Sequence, residues 1–319
     1  MRLVGLVVLA ALATGCGGGS GSKLPSASVI LDFTPNAVHA GIYSARAREF
    51  DRSAGVRLHV IVPSASTDSI KLLKAGRVDF AILDIHDLAI AREHGANIVG
   101  IMAIVERPLA AVLAAPRFSN PRALAGQTVG ITGVPSDTAV LDSVVAGAGG
   151  NPHRLHTITI GFNAVADLLA GRVAAATAFW NDEGVTVRRQ RPGFHAFRVD
   201  DYGAPPYPEL VLCASASHLR RDPGLAQSVV RALVTGYRFT IGHPAQSAAD
   251  LERQVTGLDP SLVGAELSAL LPAFRAADGG VGTLDPATLR RWSVWEARFG
   301  IVRRPPDVAA TFDRRFVSR

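Results

Sequence analysis

Residues 56–83 read VRLHVIVPSASTDSIKLLKAGRVDFAIL, and this stretch decides the fold. Residues 56–62 and 78–83 are apolar, β-branched runs of strand length. Residues 68–75 between them have helical spacing, and Gly76 follows as a helix C-cap. A strand, a helix and a second strand in this order predict a βαβ unit within a mostly parallel sheet.

The same alternation continues on both sides of this unit and then starts again. In the first series, the flanking elements are predicted at residues 28–33, 37–50, 87–94, 98–105 and 110–114. In the second series, they are predicted at residues 127–132, 135–148, 155–160, 164–170 and 173–179. The two series share one short similar segment, because LLKAGRV at 72–78 resembles LLAGRV at 168–173. Any αβ turn could produce such a similarity, so it is minor support for two similar units.

After an apolar run at 210–214 the pattern is helical to the end of the chain. Helices are predicted at residues 222–240, 244–255, 260–276 and 286–299. Two βα lobes, with a chain that returns to the first, are the plan of a two-lobed binding protein. Lobe one is assigned residues 27–113 and 214–319, lobe two residues 114–213, and the hinges residues 112–116 and 211–214.

Composition excludes several classes of protein. The 319 residues allow two domains, and 48% hydrophobic content is ample for a core. Lys+Arg 33 against Asp+Glu 27 gives a net charge of +6, but the arginines are scattered and form no nucleic-acid-binding patch. The only stretch apolar enough to enter a bilayer lies at the N-terminus, which excludes a polytopic membrane protein.

The N-terminus reads as an export signal. Residues 1–15 combine Arg2 with a short apolar core, and small residues precede Cys16 as in a bacterial lipobox. We expect cleavage before Cys16 and lipidation of its sulfur, with residues 16–26 as a flexible tether. The protein is then an extracytoplasmic lipoprotein anchored to the cell membrane. The alternative is an ordinary signal peptide with an incidental cysteine.

Aromatic, amide and carboxylate side chains follow the predicted strands, where ligands of open parallel sheets bind. Such a set suits a flat polar heterocycle, since aromatic rings stack on it and polar groups read its edge. Each residue also has a structural explanation: Asp84 and Ser136 as helix N-caps, Trp180 as a core aromatic and His39 as a backbone hydrogen-bonding group. The residues at these strand ends include Asn36, His39, Asp84, His86, Pro135, Ser136, Trp180, Asn181, Glu183, Tyr207 and Glu209.

Enzyme signatures are missing from the sequence. It has no G-x-S-x-G, no H-E-x-x-H, no P-loop and no G-x-G-x-x-G after a strand. Its histidines lack i, i+4 pairs, and of its two cysteines Cys213 lies in an apolar run as a small hydrophobe. We therefore expect no cofactor, no metal and no catalytic residue.

Several motifs in order resemble the thiamine-pyrimidine-precursor binding proteins of ABC importers. LDFTPNAVHAGIY at 31–43 resembles the opening motif L-D-W-x-P-N-x-x-H-x-G-x-Y, and ITGVPSD at 131–137 resembles the opening of the second lobe. GFN at 161–163 and FWNDE at 179–183 resemble the signatures G-x-N and Y-W-N-x-E. The resemblance covers residues 28–218 and continues more loosely to the C-terminus.

The resemblance implies a two-lobed α/β periplasmic-binding-protein fold (type II) with the ligand in the interlobe cleft. It implies that an aminopyrimidine stacks on aromatic rings while Glu183 reads its amino edge. Two positions depart from the family motifs, since Phe33 and Phe179 stand where the family has tryptophan and tyrosine, and Phe179 lacks the hydroxyl of that tyrosine. The candidate ligand-binding residues are Phe33, Asn36, His39, Asp84, His86, Pro135, Ser136, Phe179, Trp180, Asn181, Glu183 and Tyr207.

Two alternatives remain open. Relatives in the wider group bind riboflavin, sulfonates or nitrate, so another small heterocycle or a sulfonate is a second ligand class. A pyrimidine synthase of the same superfamily uses pyridoxal phosphate on a lysine, but Leu83 stands at that position here, and Schiff-base chemistry needs an amine. We therefore expect a monomeric binding protein, not an enzyme, whose partners are a small ligand, an ABC permease and a lipid anchor.

Overall fold

The computed structural model describes residues 24–317, so the predicted signal peptide, Cys16 and most of the tether lie outside the described residues. Two five-stranded sheets form the centres of two lobes. The first sheet contains β1 (Ser26–Ile30), β2 (Arg57–Ile61), β3 (Phe80–Asp84), β4 (Ile98–Ala103) and β10 (Leu210–Ser215). The second sheet contains β5 (Ala110–Ala114), β6 (Thr128–Ile131), β7 (His156–Thr159), β8 (Ala175–Phe179) and β9 (His195–Arg198).

The two sheets have the same topology. The first has the order β2-β1-β3-β10-β4, in which β1 is parallel to β2 and β3, and β10 is antiparallel to β3 and β4. The second has the order β7-β6-β8-β5-β9, with β5 as its antiparallel strand. Each sheet is mostly parallel as predicted, since four of its five strands run the same way. Each also receives one strand that arrives from the other lobe and runs the opposite way, which makes the sheet mixed.

Thirteen α-helices of the described residues cover the sheets. They are α1 (Ala40–Ala47), α2 (Phe50–Ser53), α3 (Asp68–Lys74), α4 (Ile85–Glu93), α5 (Asp137–Gly147), α6 (Ala164–Leu169), α7 (Glu183–Gln190), α8 (Ala216–Arg221), α9 (Pro223–Gly242), α10 (Pro244–Gln254), α11 (Pro260–Leu270), α12 (Pro286–Arg298) and α13 (Val308–Thr311). Asp285 caps α12 as predicted, since its side chain accepts a hydrogen bond from the Thr288 N–H at 2.7 Å. None of these helices is long and apolar enough to cross a membrane.

The two similar segments at 72–78 and 168–173 lie at equivalent positions in the two lobes. Helix α3 precedes β3 and helix α6 precedes β8, and both strands are central in their sheets. Gly76 (φ +65°) and Gly171 (φ +69°) lie just beyond these helices, in the left-handed region that favours glycine. Their N–H groups donate to the carbonyls of Leu73 and Leu168 at 3.1 Å. The two similar segments thus form the same turn twice.

The crossings between the lobes differ from the predicted boundaries at 113–114 and 213–214. Strand β5 pairs with β8 and β9 and so belongs entirely to the second sheet. Strand β10 pairs with β3 and β4 and belongs entirely to the first. The chain therefore crosses between Ala103 and Ala110 and again before Leu210. An apolar run does not reveal which sheet it joins, because strand partners are distant in sequence.

Helix α9 packs closely against α1 in the first lobe. A Cβ atom at Gly236 of α9 would lie 2.0 Å from the Gly41 carbonyl oxygen of α1. A Cβ atom at Gly41 would in turn lie 2.5 Å from the Tyr237 ring. Two glycines at the crossing thus allow the two backbones to approach, which fixes the layer of helices on this face of the sheet.

Candidate functional site

A cavity of about 110 Å³ lies between the two lobes. Asp32 and Leu83 line it from the ends of β1 and β3, while Thr132 and Phe179 line it from the ends of β6 and β8. The cavity thus lies at the carboxyl edges of both sheets, where the topology places ligands. Its position agrees with the expectation of a site in the interlobe cleft.

Four contacts across the cleft hold the lobes together around this cavity. The rings of Phe33 and Phe162 meet edge to face with centroids 4.3 Å apart. The Ser136 N–H donates to Asp87 Oδ1 at 3.1 Å, and Ser66 Oγ donates to the Thr132 carbonyl at 3.0 Å. At the rim, Arg189 of α7 donates to Ser261 Oγ of α11 at 2.7 Å. The cleft between the two lobes is therefore closed in this structure.

Half of the twelve candidate residues line the cavity. These six are Phe33, Asp84, Pro135, Ser136, Phe179 and Glu183. The other six do not line it: Asn36, His39, His86, Trp180, Asn181 and Tyr207. The structure also adds lining residues that the sequence reading did not select, among them Asp32, Asp87, Asp137 and Phe162.

The lining of the cavity is acidic. Five carboxyl groups border it, and among the described residues that line it there is no lysine, arginine or histidine. Asp137 is occupied by the protein itself, because Thr132 Oγ1, the N–H groups of Gly133 and Val134, and Thr177 Oγ1 all donate to it at 2.7–3.0 Å. The four carboxyl groups left to meet a ligand are those of Asp32, Asp84, Asp87 and Glu183.

Glu183 is the first residue of α7 and is 8% exposed. Its Oε2 accepts a hydrogen bond from the Phe179 N–H at 3.1 Å, which leaves the other oxygen for a ligand. Burial raises the pKa of Glu183 to about 8, and the charge of Asp182 adds to this rise. The carboxyl group is therefore largely protonated at neutral pH in the closed cleft, and it can either donate or accept.

His39 and Asn36 lie behind the cavity and support its lining. His39 Nδ1 accepts from the Asn36 N–H at 3.2 Å, so the proton of the ring lies on Nε2, which donates to Asp32 Oδ1 at 2.9 Å. His39 is fully buried and Asn36 caps the short helical turn Ala37–His39. In this structure the two residues support the lining, and Asp32 is the residue that they aim at the cavity. The aspartate of the LDF motif was the sequence signal for it. The ligand contacts of Asn36 and His39 stay a prediction.

His86 and Tyr207 lie in a buried polar cluster and not on the cavity wall. His86 Nδ1 pairs with Glu296 of α12, and its Nε2 lies 3.0 Å from the Tyr207 hydroxyl. Burial alone would lower the pKa of His86, but the carboxylates of Glu296 and Asp84 outweigh it and raise this pKa to about 10. Asp84, His86 and Glu209 lie close enough to hold a metal ion, but both nitrogens of His86 already have partners.

Trp180 and Asn181 do not line the cavity either. Trp180 Nε1 donates to the Pro108 carbonyl at 3.0 Å, and its backbone N–H donates to the Leu109 carbonyl at 3.0 Å. Trp180 thus fastens the second lobe to the segment that crosses between the lobes. Asn181 is fully buried, and its amide atoms have no hydrogen-bond partner within the described part of the chain. The structure gives no reason for its identity.

Comparison with known proteins places this chain in a family. A model of the family described as NMT1/THI5 like matches residues 36–247. The chain belongs to the NMT1/THI5-like family. The formylaminopyrimidine-binding protein of Halalkalibacterium halodurans is 30% identical over 227 residues, which are 70% of this chain and 69% of that protein. A putative thiamine biosynthesis protein of Haemophilus influenzae is 27% identical over 192 residues, 59% of this chain and 61% of that protein.

Solved structures confirm the fold of this family member. The alkanesulfonate-binding protein of Xanthomonas axonopodis pv. citri, solved with MOPS bound, superposes with a TM-score of 0.71 at 16% identity and covers 91% of this chain and 98% of its own. The expected two-lobed periplasmic-binding-protein fold is therefore confirmed, as is the resemblance stated from the motifs. Two of these relatives are named as binding proteins, which agrees with the expectation of a binding protein.

Glu209 joins the two crossing segments of the fold. Its Oε2 accepts from the Ala110 N–H at 2.7 Å and from the Leu109 N–H, at the start of β5. Its own carbonyl accepts from the Ile85 N–H at 2.9 Å in the first lobe. One buried carboxylate thus holds the outgoing and the returning chain together at the crossings between the lobes.

Proposed function

We propose that this protein is the substrate-binding component of an ABC importer and that it binds a thiamine pyrimidine precursor, an aminopyrimidine, between its lobes. The observation that carries the proposal is the acidic lining of the cavity. Among the described residues that line it there are five carboxyl groups and no cationic side chain. The 30% identity to a formylaminopyrimidine-binding protein supports the same ligand class.

The carboxyl groups of the cavity support an aminopyrimidine over the other ligand classes. A sulfonate or nitrate anion needs cationic or donor groups, and burying it beside ionisable carboxyls is unfavourable. An aminopyrimidine is neutral or cationic and presents N–H donors, which carboxylate oxygens accept. A cavity of about 110 Å³ also favours one small ring over the three fused rings and sugar-alcohol chain of riboflavin.

The side chains of the cavity suit a flat aromatic ring. Phe33 and Phe162 line it from the first and second lobes, and Phe179 lines it from the end of β8. We infer that these rings pack on the pyrimidine, since aromatic contacts favour offset or edge-to-face geometry. The free oxygen of Glu183 would accept from the exocyclic amino group of the ligand or, when protonated, donate to an adjacent ring nitrogen.

The mechanism requires closure and no covalent chemistry. We propose that the lobes hinge at the two crossings that Glu209 joins and that the closed form is presented to a membrane permease. We also propose that Cys16 carries a lipid that anchors the protein outside the cytoplasm, with residues 16–26 as a tether. The chain is proposed to act as a monomer.

A thermal-shift panel tests the proposal. The chain would be prepared as residues 16–319 with Cys16→Ser and melted with formylaminopyrimidine, hydroxymethylpyrimidine, riboflavin and taurine. A ligand at about 100 times its Kd adds roughly 2.7 kcal/mol to the free energy of unfolding, so the melting temperature should rise with the aminopyrimidines alone. A shift with taurine or riboflavin alone would contradict the proposed ligand, and no shift with any compound would contradict the proposed function.

A further inference from the structure

Asp87 of α4 contacts the second lobe and also lines the cavity. It is 6% exposed and lies in the first turn of α4, in lobe one. Its Oδ1 accepts a hydrogen bond from the Ser136 N–H of lobe two at 3.1 Å. Among the described residues, no group donates to its Oδ2. One buried carboxyl group thus has one oxygen on the opposite lobe and a second oxygen without a protein donor.

The Ser136 N–H is held in place by its own lobe. Ser136 is 2% exposed and directly precedes α5, an 11-residue helix. Asp137 fixes the turn before it, because its Oδ2 accepts from the N–H groups of Gly133 and Val134 at 2.7 and 3.0 Å. The N-terminal end of a helix also favours a nearby negative charge. The hydrogen bond to Asp87 joins the two lobes, so it exists only while the cleft is closed.

Closure without a ligand is unfavourable at Asp87. It removes the carboxylate from water, and one hydrogen bond does not replace those that both oxygens make with water. Asp84 also lines the cavity and adds a second negative charge nearby. In agreement, burial and the charge of Asp84 raise the pKa of the Asp87 carboxyl well above its usual range. A ligand that donates to Oδ2 supplies the missing hydrogen bond and offsets this penalty.

We propose that Asp87 couples ligand binding to closure, with Oδ1 on the Ser136 N–H and Oδ2 on a donor of the ligand. The inference rests on the proposed function, because it takes the ligand to be a small ring that carries N–H groups. A carboxylate with one open acceptor site selects ligands that donate or carry positive charge. An anion that only accepts would leave Oδ2 without a partner and would place a second negative charge beside it.

Two other contacts between the lobes beside the cavity lack this property. Ser66 Oγ donates to the Thr132 carbonyl at 3.0 Å, and the rings of Phe33 and Phe162 meet edge to face. All four groups are neutral, so these contacts form on closure whatever the charge of the ligand. Of these three contacts, only that of Asp87 contains an ionisable group, and it is therefore the one that a ligand donor can strengthen.

Substitution with asparagine separates the roles of the two oxygens. In Asp87→Asn the amide oxygen still accepts from the Ser136 N–H, but the amide nitrogen replaces Oδ2 and donates where Oδ2 accepted. Calorimetry should show binding of formylaminopyrimidine that is about tenfold to a hundredfold weaker. X-ray scattering at saturating ligand should still give the small radius of gyration of the closed form. Asp87→Ala loses both contacts, so it should bind weakly and stay more expanded at saturation.

Scattering of the ligand-free chain tests Asp87 even if no aminopyrimidine binds. Asp87→Asn should have a smaller radius of gyration than the unsubstituted chain, because closure no longer buries a charge. Ser66→Ala, which only removes a neutral contact between the lobes, should have an equal or larger radius. Asp201→Asn, an exposed carboxyl that does not line the cavity, should match the unsubstituted chain in affinity and in scattering.

The two measurements keep this inference distinct from the proposed function. If no aminopyrimidine binds while the ligand-free Asp87→Asn variant is the more compact protein, the proposed ligand fails and the role of Asp87 in closure is supported. If aminopyrimidines bind Asp87→Asn as tightly as the unsubstituted chain, the proposed function stands and the inference is overturned. A ligand-free Asp87→Asn variant that is no more compact than the unsubstituted chain also overturns it.

Discussion

Individual side chains of the cleft divide into those that face the cavity and those that support it. Phe33, Phe179 and Glu183 line the cavity, whereas His39 accepts from one backbone N–H and aims Asp32. At least one acid on the cavity wall is thus held by a buried partner that does not itself line the cavity.

The substitution Glu183→Gln tests the proposed ligand contact of a single side chain. The amide oxygen would accept from the Phe179 N–H in place of Oε2, so the amide nitrogen would face the cavity and could no longer accept from an amino group. Affinity for an aminopyrimidine should fall by about 1–3 kcal/mol in calorimetry. Asp201→Asn, an exposed carboxyl of the same lobe, is the control. Unchanged affinity of Glu183→Gln would remove Glu183 from the site.

The positions of these residues were predictable only where a local pattern decides them. Phe33, Asp84 and Phe179 lie at or next to strand ends, and that placement follows from the strand pattern itself. His86 also follows a strand, but it contacts Glu296, 210 residues away in sequence. No local pattern shows that α12 covers His86, so the sequence could not show that His86 lies outside the cavity wall.

The secondary-structure elements show the same limit. The alternation of strands and helices was predictable from hydrophobic spacing, and Gly76 and Gly171 correctly marked two helix ends. The sheet to which β5 and β10 each belong was not predictable, because each pairs with strands from distant segments. Helix α11 ends at Leu270, before the predicted 276, since Pro272 follows and cannot supply a helical N–H.

The close packing of α1 and α9 predicts that two glycine substitutions in α9 differ in their effect on the free energy of unfolding. Gly236→Ala should lower the free energy of unfolding by about 1–3 kcal/mol, because the new methyl group meets the Gly41 carbonyl oxygen at 2.0 Å. Gly242→Ala, in the same helix with no heavy atom within 4 Å of the added Cβ, should be neutral or slightly stabilising. Urea unfolding of both variants measures this difference. Equal effects of the two substitutions would contradict the packing.

The whole molecule has an excess of buried acids around the closed cleft and the crossings between the lobes. Burial raises the pKa of Glu106 and Glu183 to about 8 and that of Glu266 to about 9, from 4.5 in each case. A folded state with raised carboxyl pKa values binds more protons than the unfolded chain between these limits. The stability that these groups contribute is complete below pH 4.5 and is lost as pH rises through 8 and 9.

The melting temperature should therefore fall steadily from pH 5 to pH 9. Scanning calorimetry in buffers of equal ionic strength measures the fall, and the double variant Glu183→Gln and Glu266→Gln should flatten it because two titrating groups are removed. A melting temperature that rises with pH over this range would contradict the protonation of the buried acids.

A crystal structure of the chain with hydroxymethylpyrimidine tests the central claim most directly. The account predicts one pyrimidine ring between the lobes, with its amino group at Glu183 and its faces against Phe33, Phe162 or Phe179. A ring bound outside this cavity, or a cavity that stays empty at ligand concentrations that saturate the protein in solution, would contradict it.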